Sequence, residues 1–128
     1  MKMRVLLAVL AIAALPGLAH ADGDAAKGEK VFRKCKACHD AEHKKNRVGP
    51  YLVGVVGRKA ASVESYHYSD AMKAKGAEGV VWDEATLDIY LTNPRKFVPG
   101  TKMTFAGLHS ASQRADIIAY LQSKSKPQ

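Results

Sequence analysis

Residues 35–39 read Cys35-Lys36-Ala37-Cys38-His39, and these are the only two cysteines in a chain of 128 residues. On a helical turn, positions three apart face the same way. Two thiols therefore point to one side while the next residue presents an imidazole there. Three chemistries use such a cluster. A redox-active CxxC of the thioredoxin kind belongs near a strand-turn-helix of a βαβ unit, whereas the stretch before Cys35 has helical spacing. A zinc site built from Cys35, Cys38, His39 and His43 would crowd every ligand into nine residues, unlike the paired knuckles of structural zinc. The third chemistry suits the spacing best: two thiols add to the two vinyl groups of one haem, and His39 faces its iron.

The N-terminal stretch has a different character. Lys2 and Arg4 form a basic head, Val5 to Leu15 is an unbroken apolar run, and Pro16 and Gly17 break it. Ala19, His20 and Ala21 then supply the small-x-small pattern of a signal peptidase site. Residues 1–21 are thus expected to be a secretory signal, cut before Asp22, with one domain over 22–128. Eleven apolar residues are about half of the roughly 20 that a spanning helix needs, and an exported protein meets an oxidising compartment such as the bacterial periplasm.

The whole chain carries 20 Lys and Arg against 12 Asp and Glu, with 47% apolar residues. Without its first 21 residues it keeps 107, and the loss of Lys2 and Arg4 leaves 18 basic groups facing 12 acidic ones, a net charge of +6. That balance excludes a disordered chain and a multidomain machine. A core this small often needs a staple, a metal or a cofactor. Nucleic acid is a poor partner, because the basic residues are not interleaved with stacking aromatics.

Along the chain the periodicity predicts an all-α fold. Asp24 caps a helix running to about Lys34, with Val31 and Phe32 inward and Gly28 allowing close approach. Residues 40–59 are basic and glycine-rich and read as loop. Ser69 or Asp70 caps a short helix ending near Gly76. Trp82 or Asp83 opens another, with Leu87, Tyr90 and Leu91 on one face, which stops before Pro94. Pro99 and Gly100 begin an extended connection. Ser110 and Gln113 fit a capping box before a last helix whose apolar face is Ile117, Ile118, Tyr120 and Leu121.

The face of the iron opposite His39 decides between electron transfer, gas binding and catalysis. Of four methionines, Met1 and Met3 leave with the signal. Met72, beside Ala71 in a helical stretch, reads as packing. Met103 follows Pro99, Gly100, Thr101 and Lys102 in a constrained polar loop that suits a presented ligand better than a packing residue. His43, His67 and His109 are the alternatives, each in a polar setting where solvent exposure is the plain expectation.

The sequence also closely resembles the class I cytochromes c, small soluble carriers that include the mitochondrial protein and its proteobacterial counterparts. The likeness runs through GDAAKGEKVFRKCKACH at 23–39, GPYLVGVVGR at 49–58, YHYSDAMKAKG at 66–76, WDEATLDIYLTNPRKFVPGTKMTFAG at 82–107 and ADIIAYL at 115–121. It implies helices and loops wrapped around one covalent haem c on Cys35 and Cys38, with His39 and Met103 as axial ligands. It further implies that the His39 ring bonds to Pro50, that Arg58, Tyr68 and Trp82 surround the propionates, and that Tyr90 and Thr101 lie near the methionine sulfur. Gly28 and Phe32 would cross against Ile117 and Tyr120.

By the same resemblance the protein is a monomeric electron carrier rather than an enzyme. Its partners would be membrane redox complexes, such as a quinol-cytochrome c reductase and a terminal oxidase or photosynthetic reaction centre. They would dock on Lys30, Lys34, Lys36, Arg95, Lys96 and Lys102 around the haem edge. Met72 stands where the family usually has Asn, the 76–81 connection is longer than usual, and His109, Ser110 and Ala111 replace a lysine cluster. Two alternatives stay open: a haem enzyme such as a weak peroxidase, should Met103 not bind the iron, and a thiol-disulfide protein without haem.

Overall fold

A computed structural model describes residues 23–125; the expected export signal over 1–21 lies outside the described residues. Asp24 caps α1 (Ala25–Phe32), its carboxylate accepting from the Lys27 amide at 3.1 Å. The helix is shorter than expected. Instead of reaching Lys34, it tightens at Phe32, whose carbonyl takes the amides of both Cys35 (2.8 Å) and Lys36 (3.0 Å). The chain then runs in turns to Cys38, which is how two thiols and the following imidazole come to one place.

Ser69 caps α2 (Asp70–Ala77) and Asp83 caps α3 (Glu84–Thr92), as their sequences ask. The chain does not simply become irregular at Pro94. Asn93 leaves the helix in an extended conformation and its side chain accepts from the Lys96 amide at 3.1 Å, which starts a further one-turn helix, α4 (Pro94–Phe97). Proline suits that first position, where no amide partner is needed and its φ is already helical. Residues 98–110 follow without helix, and Ser110 caps α5 (Ala111–Ser123) by accepting from Gln113 at 3.3 Å, the forward half of the expected box.

The first and last helices cross where the sequence places the crossing. A Cβ on Gly28 would overlap the Asp116 carbonyl and stand 2.8 Å from the Tyr120 Cβ, so the close approach depends on glycine. Phe32 packs on Tyr120 with ring centroids 5.3 Å apart, and Asp116 accepts from the Asp24 amide at 2.8 Å. Arg114 joins α5 to α3 and to the chain between them, donating to Asp88 (2.7 Å), the Leu108 carbonyl (2.9 Å) and the His109 carbonyl (3.1 Å).

Among the described residues the only β pairing is one bridge, Lys59 with Val81. Around it the Ala60 amide bonds to Val80 and the Trp82 amide to Arg58, each at 2.9 Å. This short seam sets Arg58 beside Trp82. The long 40–59 segment is sewn to the end of α5: Glu42 pairs with Lys124 at 2.6 Å and accepts from the Tyr120 hydroxyl at 3.3 Å, and the Val56 amide bonds to Ser125 Oγ at 3.2 Å. No helix of the described residues is long and apolar enough to cross a membrane.

Burial first, and then the facing Glu42 carboxylate, push the Tyr120 phenol up to about 12. A group held protonated by the fold contributes stability that is complete below its unfolded value near 10 and is lost as pH rises toward its folded one. Tyr120→Phe is therefore expected to cost about 1 kcal/mol at neutral pH through the lost hydrogen bond. It should also flatten the fall in stability between about pH 10 and about pH 12, as read from urea unfolding across that range.

Candidate haem pocket

A cavity of about 610 Å³ opens among the helices and loops, within the usual size range of ligand and cofactor sites. Its walls are largely apolar, with Leu52, Val55, Leu87, Leu91, Ile117 and Leu121 drawn from segments far apart in the chain. Every residue that the resemblance assigns to the haem lines it: Cys35, Cys38, His39, Pro50, Arg58, Tyr68, Trp82, Tyr90, Thr101 and Met103. His43, His67 and His109 do not. All three are exposed, and His43 sits 3.4 Å from Asp40.

His39 is oriented by backbone. Its Nδ1 lies 2.7 Å from the Pro50 carbonyl, which can only accept, so Nδ1 carries the proton and Nε2 keeps its lone pair. Burial pushes the imidazole below its ordinary value, against the Pro50 bond, which favours the neutral ring. Gly49 lies against the ring. A Cβ there would fall 2.7 Å from Nδ1 and 2.9 Å from Nε2, and the Gly49 amide is bound to the Cys38 carbonyl at 2.8 Å.

No disulfide joins Cys35 and Cys38. Burial raises Cys35 to about 11, which keeps it a thiol at neutral pH. A redox-active cysteine is instead held as a thiolate by a lowered value, so Cys35 lacks the electrostatics of a thiol-disulfide catalyst.

Met103 is half-buried on the cavity wall. Its amide bonds to Thr101 Oγ1 at 3.2 Å, and the Tyr90 hydroxyl donates to its sulfur at 3.4 Å. Burial raises the Tyr90 phenol to about 12, so it remains a donor across the ordinary pH range. Its ring is held by Trp82 (4.8 Å between centroids) and Phe97 (5.9 Å), the latter supplied by the turn of helix at 94–97. Met72, expected to be plain packing, packs against the core and also lines the cavity.

Arg58 binds the Tyr51 carbonyl through Nη1 at 3.0 Å and lies 5.4 Å from the centre of the Tyr51 ring. Its Nε is buried without a partner. Such a donor is costly unless an acceptor arrives. The Tyr68 hydroxyl accepts from the Val63 amide at 3.1 Å, which leaves its own proton to give. The residues present fit haem c: two thiols for attachment, an imidazole with a free nitrogen, a thioether, an apolar lining, and unspent donors for carboxylates. Sequence reasoning overlooked Tyr66 and Gly49 as parts of this wall, and expected Lys102 only as a docking residue around the haem edge. Gly49 carried a readable signal, since a glycine before Pro50 and near a ligating histidine suggests close approach. Tyr66 carried none.

Gly49→Ala is expected to push the His39 ring off the Pro50 carbonyl. The Nδ1 proton should then exchange with solvent faster than in the parent protein, by tenfold or more for a broken buried hydrogen bond, roughly its net worth. Proton NMR of the haem-loaded protein checks this.

Comparison with known proteins agrees with this geometry. The family model described as Cytochrome c matches residues 25–125. The chain is 50% identical to cytochrome c-554 of Methylosinus trichosporium over 121 residues, covering 94% of this chain and 89% of that one. It is 52% identical to cytochrome c2 of Rhodomicrobium vannielii over 107 residues, 83% of each. Among solved structures it is similar to cytochrome cH from Methylobacterium extorquens, at 52% identity with a TM-score of 0.72, over 79% of this chain and 99% of that one. The chain belongs to the cytochrome c family, as an electron carrier with covalently bound haem c and not an enzyme.

Proposed function

We propose that this cytochrome c is an exported one-electron carrier whose haem is joined to Cys35 and Cys38 and whose iron is held between His39 and Met103. The observation that carries the assignment is the setting of Met103: a thioether on the cavity wall, fastened by Thr101 from its backbone side and by Tyr90 at its sulfur.

Haem c, when bound, supplies an iron that gains and loses one electron. The chain's own residues govern how easily. The Pro50 carbonyl orients His39 and makes it a better donor. The Tyr90 hydroxyl draws density from the Met103 sulfur, and the apolar wall of Leu87, Leu91, Ile117 and Leu121 keeps water out. An apolar shell penalises the extra positive charge of the ferric state, and a thioether favours the ferrous one, so both raise the potential. Arg58, Tyr68 and Trp82 line the wall where propionates would need donors, and buried carboxylates without partners would be expensive.

The bacterial cytochrome c2 and c-554 relatives support export to the periplasm, and the basic head, apolar run and Ala19-His20-Ala21 pattern support residues 1–21 as the cleaved signal and 22–128 as the carrier domain. The relatives also support membrane redox complexes as partners in general, and a carrier of this kind would run between a quinol-cytochrome c reductase on one side and a terminal oxidase or photosynthetic reaction centre on the other. Lys30, Lys34, Lys36, Arg95 and Lys96 are exposed and form no ion pair among the described residues, so they are available to acidic partner surfaces. Lys102 is exposed too, but its ammonium is already engaged with the chain.

Met103→Ala tests the ligand assignment. The variant is expected to lower the reduction potential by roughly 0.1 V or more, within the span of about 0.8 V that axial ligands command. Its reduced form should bind carbon monoxide, which the parent should exclude. An unchanged potential, or a parent that binds carbon monoxide tightly, would instead favour an open iron and the weak-peroxidase alternative. For docking, the bimolecular rate with a membrane oxidase should fall severalfold as salt rises from about 10 mM to about 150 mM, as the Debye length shrinks from roughly 30 to 8 Å. A flat dependence excludes steering by this face.

A further inference from the structure

Three chain segments meet at the solvent edge of the cavity, and one side chain touches all of them. Tyr66 donates its hydroxyl to the Val48 carbonyl at 2.7 Å. Its ring stands edge-on to Tyr68 with centroids 4.9 Å apart. The Lys102 ammonium lies 4.5 Å from the centre of the same ring and also donates to the carbonyl of His67, the next residue along. Val48 adjoins Gly49 and Pro50, which position His39, and Lys102 adjoins Met103.

A second bond runs beside the first. Asn46 donates through Nδ2 to the Ser65 carbonyl (3.1 Å) and to Ser65 Oγ (3.0 Å), while its Oδ1 accepts from the Tyr51 amide at 3.1 Å. The 46–51 segment is thereby tied to the 65–66 segment at Asn46 and again at Val48. The second tie matters because the Val48 side chain cannot hold this stretch in place: the residue is 73% exposed, so burial contributes little.

We propose that Tyr66 is a positioning residue, a strap that with Lys102 couples the segment carrying the acceptor of His39 to the segment carrying Met103. The coupling rests on the ligand assignment made above for those two residues. Loosening either end would let the two sides of the cavity part, so a small molecule could compete for the iron. One hydrogen bond and one exposed cation–π contact are each modest. A change of about threefold to tenfold in access is the scale to expect on losing one of them.

The test uses the haem-loaded protein and its variants Tyr66→Phe, Lys102→Gln and both together. Ser110→Ala is the control: it removes the cap of α5, away from the cavity, at a comparable cost in stability. Two quantities are measured: imidazole affinity of the oxidised protein, by visible titration, and hydrogen exchange of the Gly49 and Met103 amides. Each strap variant should bind imidazole about threefold to tenfold more tightly. The double variant should fall short of the product of the singles. Tyr66→Phe should also speed exchange at Met103 as well as at Gly49, although the deleted hydroxyl touches only Val48. Imidazole affinities within twofold of the parent, an equal shift in Ser110→Ala, or faster exchange confined to Gly49 would each overturn the strap. A parent protein that already binds imidazole freely would refute Met103 as ligand instead, and the exchange measurement would still decide the strap.

Discussion

Apolar side chains that would close an ordinary small core here face a cavity. Ile117 is 1% exposed and Leu121 4%, yet both belong at once to the core and to the cavity wall, as do Leu87, Tyr90 and Leu91. Side chains bordering empty space forfeit dispersion contacts, and a cavity of this size is costly to leave unfilled. An occupant with a large apolar face completes the core from inside, and whatever binds only the native state stabilises it. Covalent attachment, which the proposed function places at Cys35 and Cys38, would make that occupant permanent. The same contacts therefore serve stability and function, which explains how α1 and α2, of eight residues each, suffice.

Much of the backbone around the cavity is neither helix nor strand, and its polar groups still have to be met. They are met largely by pairing distant stretches. Leu52 bonds to the Asp40 carbonyl at 2.7 Å, Leu108 to Leu91 at 2.8 Å, and Gly57 to Trp82 at 2.8 Å. Each such bond fixes the height of a residue on the wall. Irregular chain held at many points can be as rigid as a helix, and it places groups at angles that a helix cannot reach. A carrier benefits from this stiffness, because a site that rearranges little when charge changes loses little energy in each transfer.

The elements that were legible in the sequence carry local signals. Asp24, Ser69, Asp83 and Ser110 are caps whose side chains bond within their own first turn, and the CxxCH cluster brings its three groups together within five residues. The polar loop at 99–102 singled out Met103 as a presented ligand, and the family likeness added the other long-range assignments, Pro50 above all. Signals that depend on geometry were harder to see. The one-turn helix at 94–97 was hidden because Pro94 reads equally well as a stop and as a first residue. The early end of α1 at Phe32 was hidden because Lys34 has good helical propensity and nothing local announces the turn. Tyr66 was invisible because its partners, Val48 and Lys102, lie 18 residues before it and 36 after it.

Lys102 separates two roles that positive charge plays on a docking surface. Its ammonium is spent on the His67 carbonyl and the Tyr66 ring, so reaching a partner's carboxylate would mean giving up both. On the docking face proposed above, close contact would therefore fall to Lys30, Lys34, Lys36, Arg95 and Lys96, whose charged ends are free of ion pairs among the described residues. Steering is another matter. A carbonyl and an aromatic face do not neutralise a cation, and at separations approaching a Debye length an incoming surface senses net charge, not hydrogen bonding. In the proposed docking Lys102 would still contribute its full positive charge to encounter without being free for the final contact. One residue can thus hold the methionine loop in place and draw partners toward the edge it guards.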